Sequence, residues 1–199
     1  MKKLIVGISG ATGAIYGIRL LQTLSKSDVE THLVITEAAE NTIRMETDWK
    51  VEDIKSLAKV AYDIKDLGGD ISSGSFLTEG MVIIPCSIKS LSGIANSFDE
   101  NLLIRAADVI LKERRKLVLA VRETPLHLGH IELMLQASRM GAILLPPLPA
   151  FYFHPETIDD LINHTVGKVL DLFNVNHHLF NRWGSSEVKN NLRKKGIKN

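Results

Sequence analysis

Short β-branched runs that stop at small or hydroxylated residues, each followed by apolar residues at helical spacing, recur along nearly the whole chain. Leu4 to Ser9 ends in a glycine cluster, after which Ile15, Ile18, Leu20, Leu21 and Leu24 fall on one side of a helix. Thr31 to Thr36 is a second such run, and Glu37-Ala38-Ala39-Glu40 opens a helix with acids placed favourably for its dipole. Val51 to Val60 has helical periodicity with Ile54 and Leu57 inward, and Asp63 to Ser75, rich in Gly, Ser and Asp, reads as a loop long enough to be functional. Met81 to Pro85 is continuously apolar, as in a strand covered on both faces, and Ser87 to Ala95 follows as a helix. The series continues with helix Leu102 to Lys116, strand Lys116 to Val121, helix His127 to Met140, strand Ala142 to Leu145, a proline-rich connector and helix Glu156 to Phe173. Such alternation predicts a doubly wound α/β domain, a parallel sheet of five or six strands with helices on both faces.

The 199 residues suffice for one well-buried domain, read here as residues 1–185, followed by a basic tail over 186–199 carrying Lys189, Arg193, Lys194, Lys195 and Lys198, which is expected to be flexible. With 45% hydrophobic and 24% charged residues the composition is that of a soluble globular protein. A formal net charge of +1 gives no field to attract nucleic acid. The apolar opening is interrupted by Gly7, Gly10, Gly13 and Gly17 and reads as a strand rather than a signal peptide, and no apolar run approaches the ~20 residues of a membrane span. A single cysteine, Cys86, excludes an intrachain disulfide and fits a cytoplasmic location.

In open α/β sheets ligands bind beyond the carboxyl ends of the strands, so the strand exits hold the candidate residues. Ser9-Gly10-Ala11-Thr12-Gly13 suits a phosphate approaching a helix N-terminus, although its spacing matches neither the dinucleotide nor the Walker fingerprint, and the glycines equally serve close helix–strand contact. Thr36 offers a hydroxyl to a ligand or a cap to the next helix; Ser87 and Ser90, after Pro85-Cys86, offer the same choice. Cys86 at a strand end is more typical of inert core than of a nucleophile. Arg122-Glu123-Thr124-Pro125-Leu126 follows the apolar strand Leu117 to Val121 and reads as an ion pair at a strand exit, where an anion binds. Arg105, Asp108 and Lys112 share a helical face; Lys112 can reach a phosphate, or, with Arg114 and Arg115, complement the helix dipole. His127 and His130 lack the partners of a metal site, and no nucleophile–His–acid order stands out. Pro149-Ala150-Phe151-Tyr152 and Lys168 bring a phenol and a cation after the last strand.

Eight motifs in order, Ser9-Gly10-Ala11-Thr12-Gly13-Ala14, Glu46-Thr47, Ser73-Gly74-Ser75-Phe76, Pro85-Cys86-Ser87, Arg105-Ala106-Ala107-Asp108-Val109, Leu111-Lys112-Glu113-Arg114, Arg122-Glu123-Thr124-Pro125-Leu126 and Pro149-Ala150-Phe151-Tyr152, resemble the UbiX/Pad-type flavin prenyltransferases, over a span from about Lys3 to Trp183. The resemblance implies a flavodoxin-like, Rossmann-like fold that binds FMN and joins a dimethylallyl group from dimethylallyl monophosphate to N5 and C6 of the reduced flavin. The prenylated FMN then serves a UbiD-type decarboxylase, in ubiquinone biosynthesis or aromatic acid decarboxylation. It further implies a homo-oligomer, expected to be a dodecamer, with sites at subunit interfaces and no metal. By motif, Gly10, Ala11, Thr12, Thr36, Ser87, Ile88, Lys89, Ser90 and Arg122 stand as FMN contacts. Arg105, Lys112, Arg122, Tyr152 and Lys168 stand around the prenyl phosphate, with Glu46, Lys112 and Glu123 as catalytic groups. A lysine stands at 168 where the family commonly has arginine, keeping the charge without the bidentate grip. Two alternatives share such a fold: a peptidyl-cysteine-type decarboxylase, whose catalytic histidine has no counterpart from Asn41 to Trp49, and a flavin carrier without chemistry.

Overall fold

The computed structural model describes residues 2–184, so the predicted basic tail lies outside the described residues. The chain separates into two compact units, Met1–Pro147 and Leu148–Asn199. The first holds strands β1 (Lys2–Ile8), β2 (Val29–Ile35), β3 (Val60–Tyr62), β4 (Gly80–Cys86), β5 (Lys116–Val121) and β6 (Ile143–Leu144). Its helices are α1 (Ala14–Leu24), α2 (Glu37–Glu46), α3 (Val51–Ser56), α4 (Ile88–Ala95), α5 (Leu102–Lys112) and α6 (Leu128–Met140). The second holds α7 (Ile158–Leu172).

All strand pairings are parallel, in the order β3-β2-β1-β4-β5-β6. The chain winds outward from β1 through β2 to β3, then crosses back to place β4 on the other side of β1. The β1/β4 boundary is therefore the topological switch point, where the turns leaving two neighbouring strands diverge and open a crevice. Alternate residues of the central strands fill two cores. Ile5, Val34, Met81, Ile83, Leu117 and Leu119 pack with α4 and α5 on one face; Ile8 and Ile84 meet α1 at Gly17 on the other, where an added Cβ would lie 2.5 Å from the Ile84 carbonyl oxygen. Burial on both faces explains why these strands read as unbroken apolar runs.

The expected doubly wound sheet is present. The expected helix over Val51 to Val60 is not: α3 stops at Ser56 and Val60–Tyr62 becomes the edge strand β3, register-paired with His32 to Val34. Helix α5 likewise ends at Lys112 rather than Lys116, because Arg114 takes a left-handed conformation (φ 57°) that turns the chain into β5.

In the second unit α7 begins in a capping box, with Thr157 Oγ1 accepting from the Asp160 amide and the Asp160 carboxylate accepting from the Thr157 amide. Its far end is tied by Asp171, which accepts from both Arg182 terminal nitrogens and from His177 Nε2. Among the described residues no helix is long and apolar enough to cross a membrane.

Candidate active site

The floor of the crevice is built around Ser9. Its hydroxyl donates to the Pro85 carbonyl (3.0 Å) and accepts from the Ser87 amide (2.8 Å), so one side chain ties the turn after β1 to the turn after β4. The neighbouring exits are in line with these: the Thr36 amide donates to the Ile8 carbonyl and the Arg122 amide to the Cys86 carbonyl, both at 3.0 Å. Four strand ends thus meet at one edge, and a cavity of about 680 Å³ opens there, within the range of small-molecule sites.

The cavity is lined by Gly10, Thr36, Ser87, Ile88, Lys89, Ser90 and Glu123, all candidate residues at the strand exits. Thr36 and Ser87 take the capping role considered for them, at positions that wall the cavity. Each hydroxyl caps its helix, accepting from the Ala39 amide (3.1 Å) and the Ser90 amide (3.2 Å), while the same turns wall the cavity. Gly10 is required by space: a Cβ there would come within 2.4 Å of the Ala38 Cβ. The N-terminus of α4, with two serines and a lysine in its first turn, is suited to a phosphate. Cys86 is fully buried, and burial pushes its thiol up to about 12, which leaves it a core residue.

Ala11 and Thr12 occupy the turn between β1 and α1 outside the cavity lining, Ala11 half-buried and Thr12 exposed. Arg122 and Glu123 do not form the expected ion pair. Successive residues of an extended segment point to opposite sides; Glu123 lines the cavity and accepts from the Thr124 amide (3.0 Å), whereas Arg122 lies close enough to Tyr16 to act on its phenol electrostatically. Burial raises the Tyr16 pKa, and the Arg122 charge partly opposes that rise. Glu46, at the end of α2, reaches back to α1 and accepts from the Gly13 (2.8 Å) and Ala14 (3.3 Å) amides.

Arg105 and Lys112 are not brought to this crevice as a pair with Asp108 between them. Arg105 is held by Asp99 at 2.9 Å and by Asp108 at 3.8 Å. Lys112 ends α5 and pairs with Glu113 beside Gly74, next to Arg115, which donates to the Gly74 and Phe76 carbonyls. That cluster sits where β4 and β5 begin. The length of β5, roughly 20 Å, separates it from Glu123.

In the second unit Tyr152 bonds His164 Nε2 (3.3 Å), with Trp183 edge-on and Phe153 stacked on His164. Burial, then the charge of Lys168 one turn along α7, lowers the His164 pKa. Among the described residues no group of three or more potential ligands is placed to hold a metal ion.

Sequence reasoning missed the outer wall of the cavity, Glu37, Ala38, Ile64, Lys65 and Leu67 with Glu100, Asn101 and Ile104. Part of it was signalled: Ile64 to Leu67 fall in the long Gly/Ser/Asp-rich loop. Lys65 and Glu37 join at 2.9 Å across this wall.

Residues 1–170 match the flavoprotein family. The chain is 60% identical over 187 residues to the flavin prenyltransferase UbiX of Thauera aromatica, covering 94% of this chain and 96% of that one. It is 59% identical over 186 residues to UbiX of Escherichia coli K12, covering 92% and 98%. The chain belongs to the UbiX/Pad-type flavin prenyltransferase family. Its fold superposes on a crystal structure of AnUbiX (PadA1) in complex with FMN and dimethylallyl pyrophosphate with a TM-score of 0.91 at 46% identity, over 92% of this chain and 98% of that one. A dodecameric FMN-dependent UbiX-like decarboxylase from Escherichia coli O157:H7 gives 0.90 at 51%, over 92% and 100%. More distant likeness, such as 0.62 at 16% to the peptidyl-cysteine decarboxylase EpiD, concerns the fold alone.

Proposed function

We infer that this chain is a flavin prenyltransferase, joining the dimethylallyl group of dimethylallyl monophosphate to N5 and C6 of reduced FMN to give prenylated FMN. The observation that carries this reading is the crevice at the β1/β4 switch point, walled by Gly10, Thr36, the Ser87 to Ser90 turn and Glu123, in a member of this family. The residues fit FMN: a helix N-terminus flanked by hydroxyls for its phosphate, and at Gly10 a backbone free of any Cβ. The flavin, when bound, supplies the nucleophile, which accounts for a site without a Ser or Cys constellation.

The protein's share is positioning and charge. Loss of an allylic phosphate needs donors where negative charge develops, the part assigned to Arg105, Lys112, Arg122, Tyr152 and Lys168. Glu123, on the cavity wall, and Glu46, on the amides that open α1, are assigned to orient donors and move protons. Lys112 lies the length of a strand from Glu123 in one chain, so its role at the same site requires a second copy to supply it. That is consistent with a homo-oligomer, taken here to be a dodecamer as in the UbiX-like relative. The flavoprotein domain is assigned to residues 1–185. The product is destined for a UbiD-type decarboxylase, in ubiquinone biosynthesis or aromatic acid decarboxylation, and a cytoplasmic location is the reading that its one free, buried cysteine supports.

The test is anaerobic incubation with reduced FMN and dimethylallyl monophosphate, followed by mass spectrometry of the flavin. A gain corresponding to one dimethylallyl unit is expected; unchanged flavin mass under competent reduction rejects the reading.

A further inference from the structure

The outer wall of the crevice follows a strand of three residues, and beyond it the Ile64 carbonyl accepts from the Leu102 amide at 2.9 Å. Ile64, Lys65 and Leu67 line the cavity, and they follow directly on β3, whose ladder to β2 spans Val60 to Tyr62 alone. So short an edge strand is weakly held by its backbone, and its register needs a further constraint. His32 supplies one. It stands on β2 with 2% of its surface exposed, between Glu30 Oε1 at 2.9 Å from Nε2 and the Tyr62 hydroxyl at 2.8 Å from Nδ1.

The chemistry fixes the direction of the bond to Glu30, and for the neutral ring that of the bond to Tyr62 as well. A carboxylate only accepts, so Nε2 carries the proton, and in the neutral ring Nδ1 accepts from the Tyr62 O–H. The ring is packed as well as bonded: Phe76 stands edge-on to it at 4.8 Å, and Lys3 lies over Phe76 while reaching Glu30 at 3.6 Å. Tyr62 is equally constrained. Gly69, just past the wall, leaves only enough room for its ring, since an added Cβ would lie 3.0 Å from Tyr62 Cδ1. Burial and the nearby carboxylates of Asp70, Glu30 and Asp66 push the phenol up to about 12, so it stays a donor.

We propose that His32 and Tyr62 are positioning residues for flavin binding: their hydrogen bond fixes the end of β3 and thereby the Ile64 to Leu67 wall of the crevice. Neither touches the cavity. The proposal rests on the reading of that crevice as the FMN site.

The experiment compares Tyr62→Phe, His32→Gln and His32→Asn in the full chain by FMN titration followed through flavin fluorescence. An asparagine amide reproduces the Nδ1 side of the ring and a glutamine amide the Nε2 side. His32→Asn should therefore keep near wild-type affinity, while Tyr62→Phe and His32→Gln each weaken it about fivefold, the worth of one hydrogen bond. The double variant Tyr62→Phe/His32→Gln should be no weaker than either alone. Wild-type affinity in folded Tyr62→Phe, or equal losses in His32→Asn and His32→Gln, overturns the proposal. Amide hydrogen exchange of residues 60–67 gives a second readout: faster exchange there in Tyr62→Phe than in wild type, with β1 unchanged, is expected, and unchanged exchange overturns it. That measurement needs no flavin, so failure of wild type to bind FMN would reject the site reading while exchange still decides the positioning role.

Discussion

Thr36 and Ser87 each use one hydroxyl to close a helix on the wall of the cavity, so under the proposed function a substitution there acts on stability and on binding through one atom. Thr36→Val should lower stability by about 1 kcal/mol in urea unfolding, the usual worth of an N-cap, whereas Thr36→Ser should cost little. Glu123 is different: among the described residues its carboxylate accepts from its neighbour's amide, and it lines the cavity. Glu123→Ala should therefore leave FMN affinity within about twofold and cut prenyl transfer by at least ~100-fold, the scale of a lost acid–base group, read by flavin mass. The strand–turn–helix pattern made both hydroxyls legible as helix caps at the strand exits. The Arg122–Glu123 ion pair was misread because adjacency in sequence brings charges together only where the backbone is not extended.

Among the elements, α1 rests on the sheet through Gly17, and its close approach to β4 sets where the crevice floor lies. A methyl there meets the backbone oxygen of Ile84 and cannot be relieved by a rotamer change. Gly17→Ala should cost about 1–3 kcal/mol of stability, measured by urea unfolding. In the second unit, Arg182, then His177, holds the Asp171 carboxyl below its ordinary value, partly opposed by burial. A depressed carboxylate contributes stability above its unfolded pKa and loses it as pH falls through the folded value. The melting-temperature gap between wild type and Arg182→Gln should thus be full at neutral pH and shrink below about pH 4. The long strands and helices were legible because each spans several periods of its pattern. β3 was not, because three residues carry no period, and Val60 continued the apolar spacing of the helix before it.

For the molecule as a whole, the decisive fact is the position of Lys112 at the opening edge of the sheet, against Glu123 at its closing edge. If both act on one substrate, they come from different copies. Lys112→Ala and Glu123→Ala assemblies, each inactive, should then regain prenyl transfer when mixed under conditions of subunit exchange, because some mixed sites hold both wild-type residues. No recovery in verified mixed oligomers would mean that one of the two lies outside the site. The sequence pattern made the doubly wound sheet readable, and with it which turns converge, but a single chain's pattern cannot tell which residues a neighbour supplies. The Ser9 hydroxyl has a kinetic corollary. With the two central turns tied by one atom, the crevice floor has little freedom to part, so under the proposed function the rate at which flavin leaves is expected to be set at the rim, where the exposed Lys65–Glu37 pair and the short β3 strand are the most easily displaced restraints.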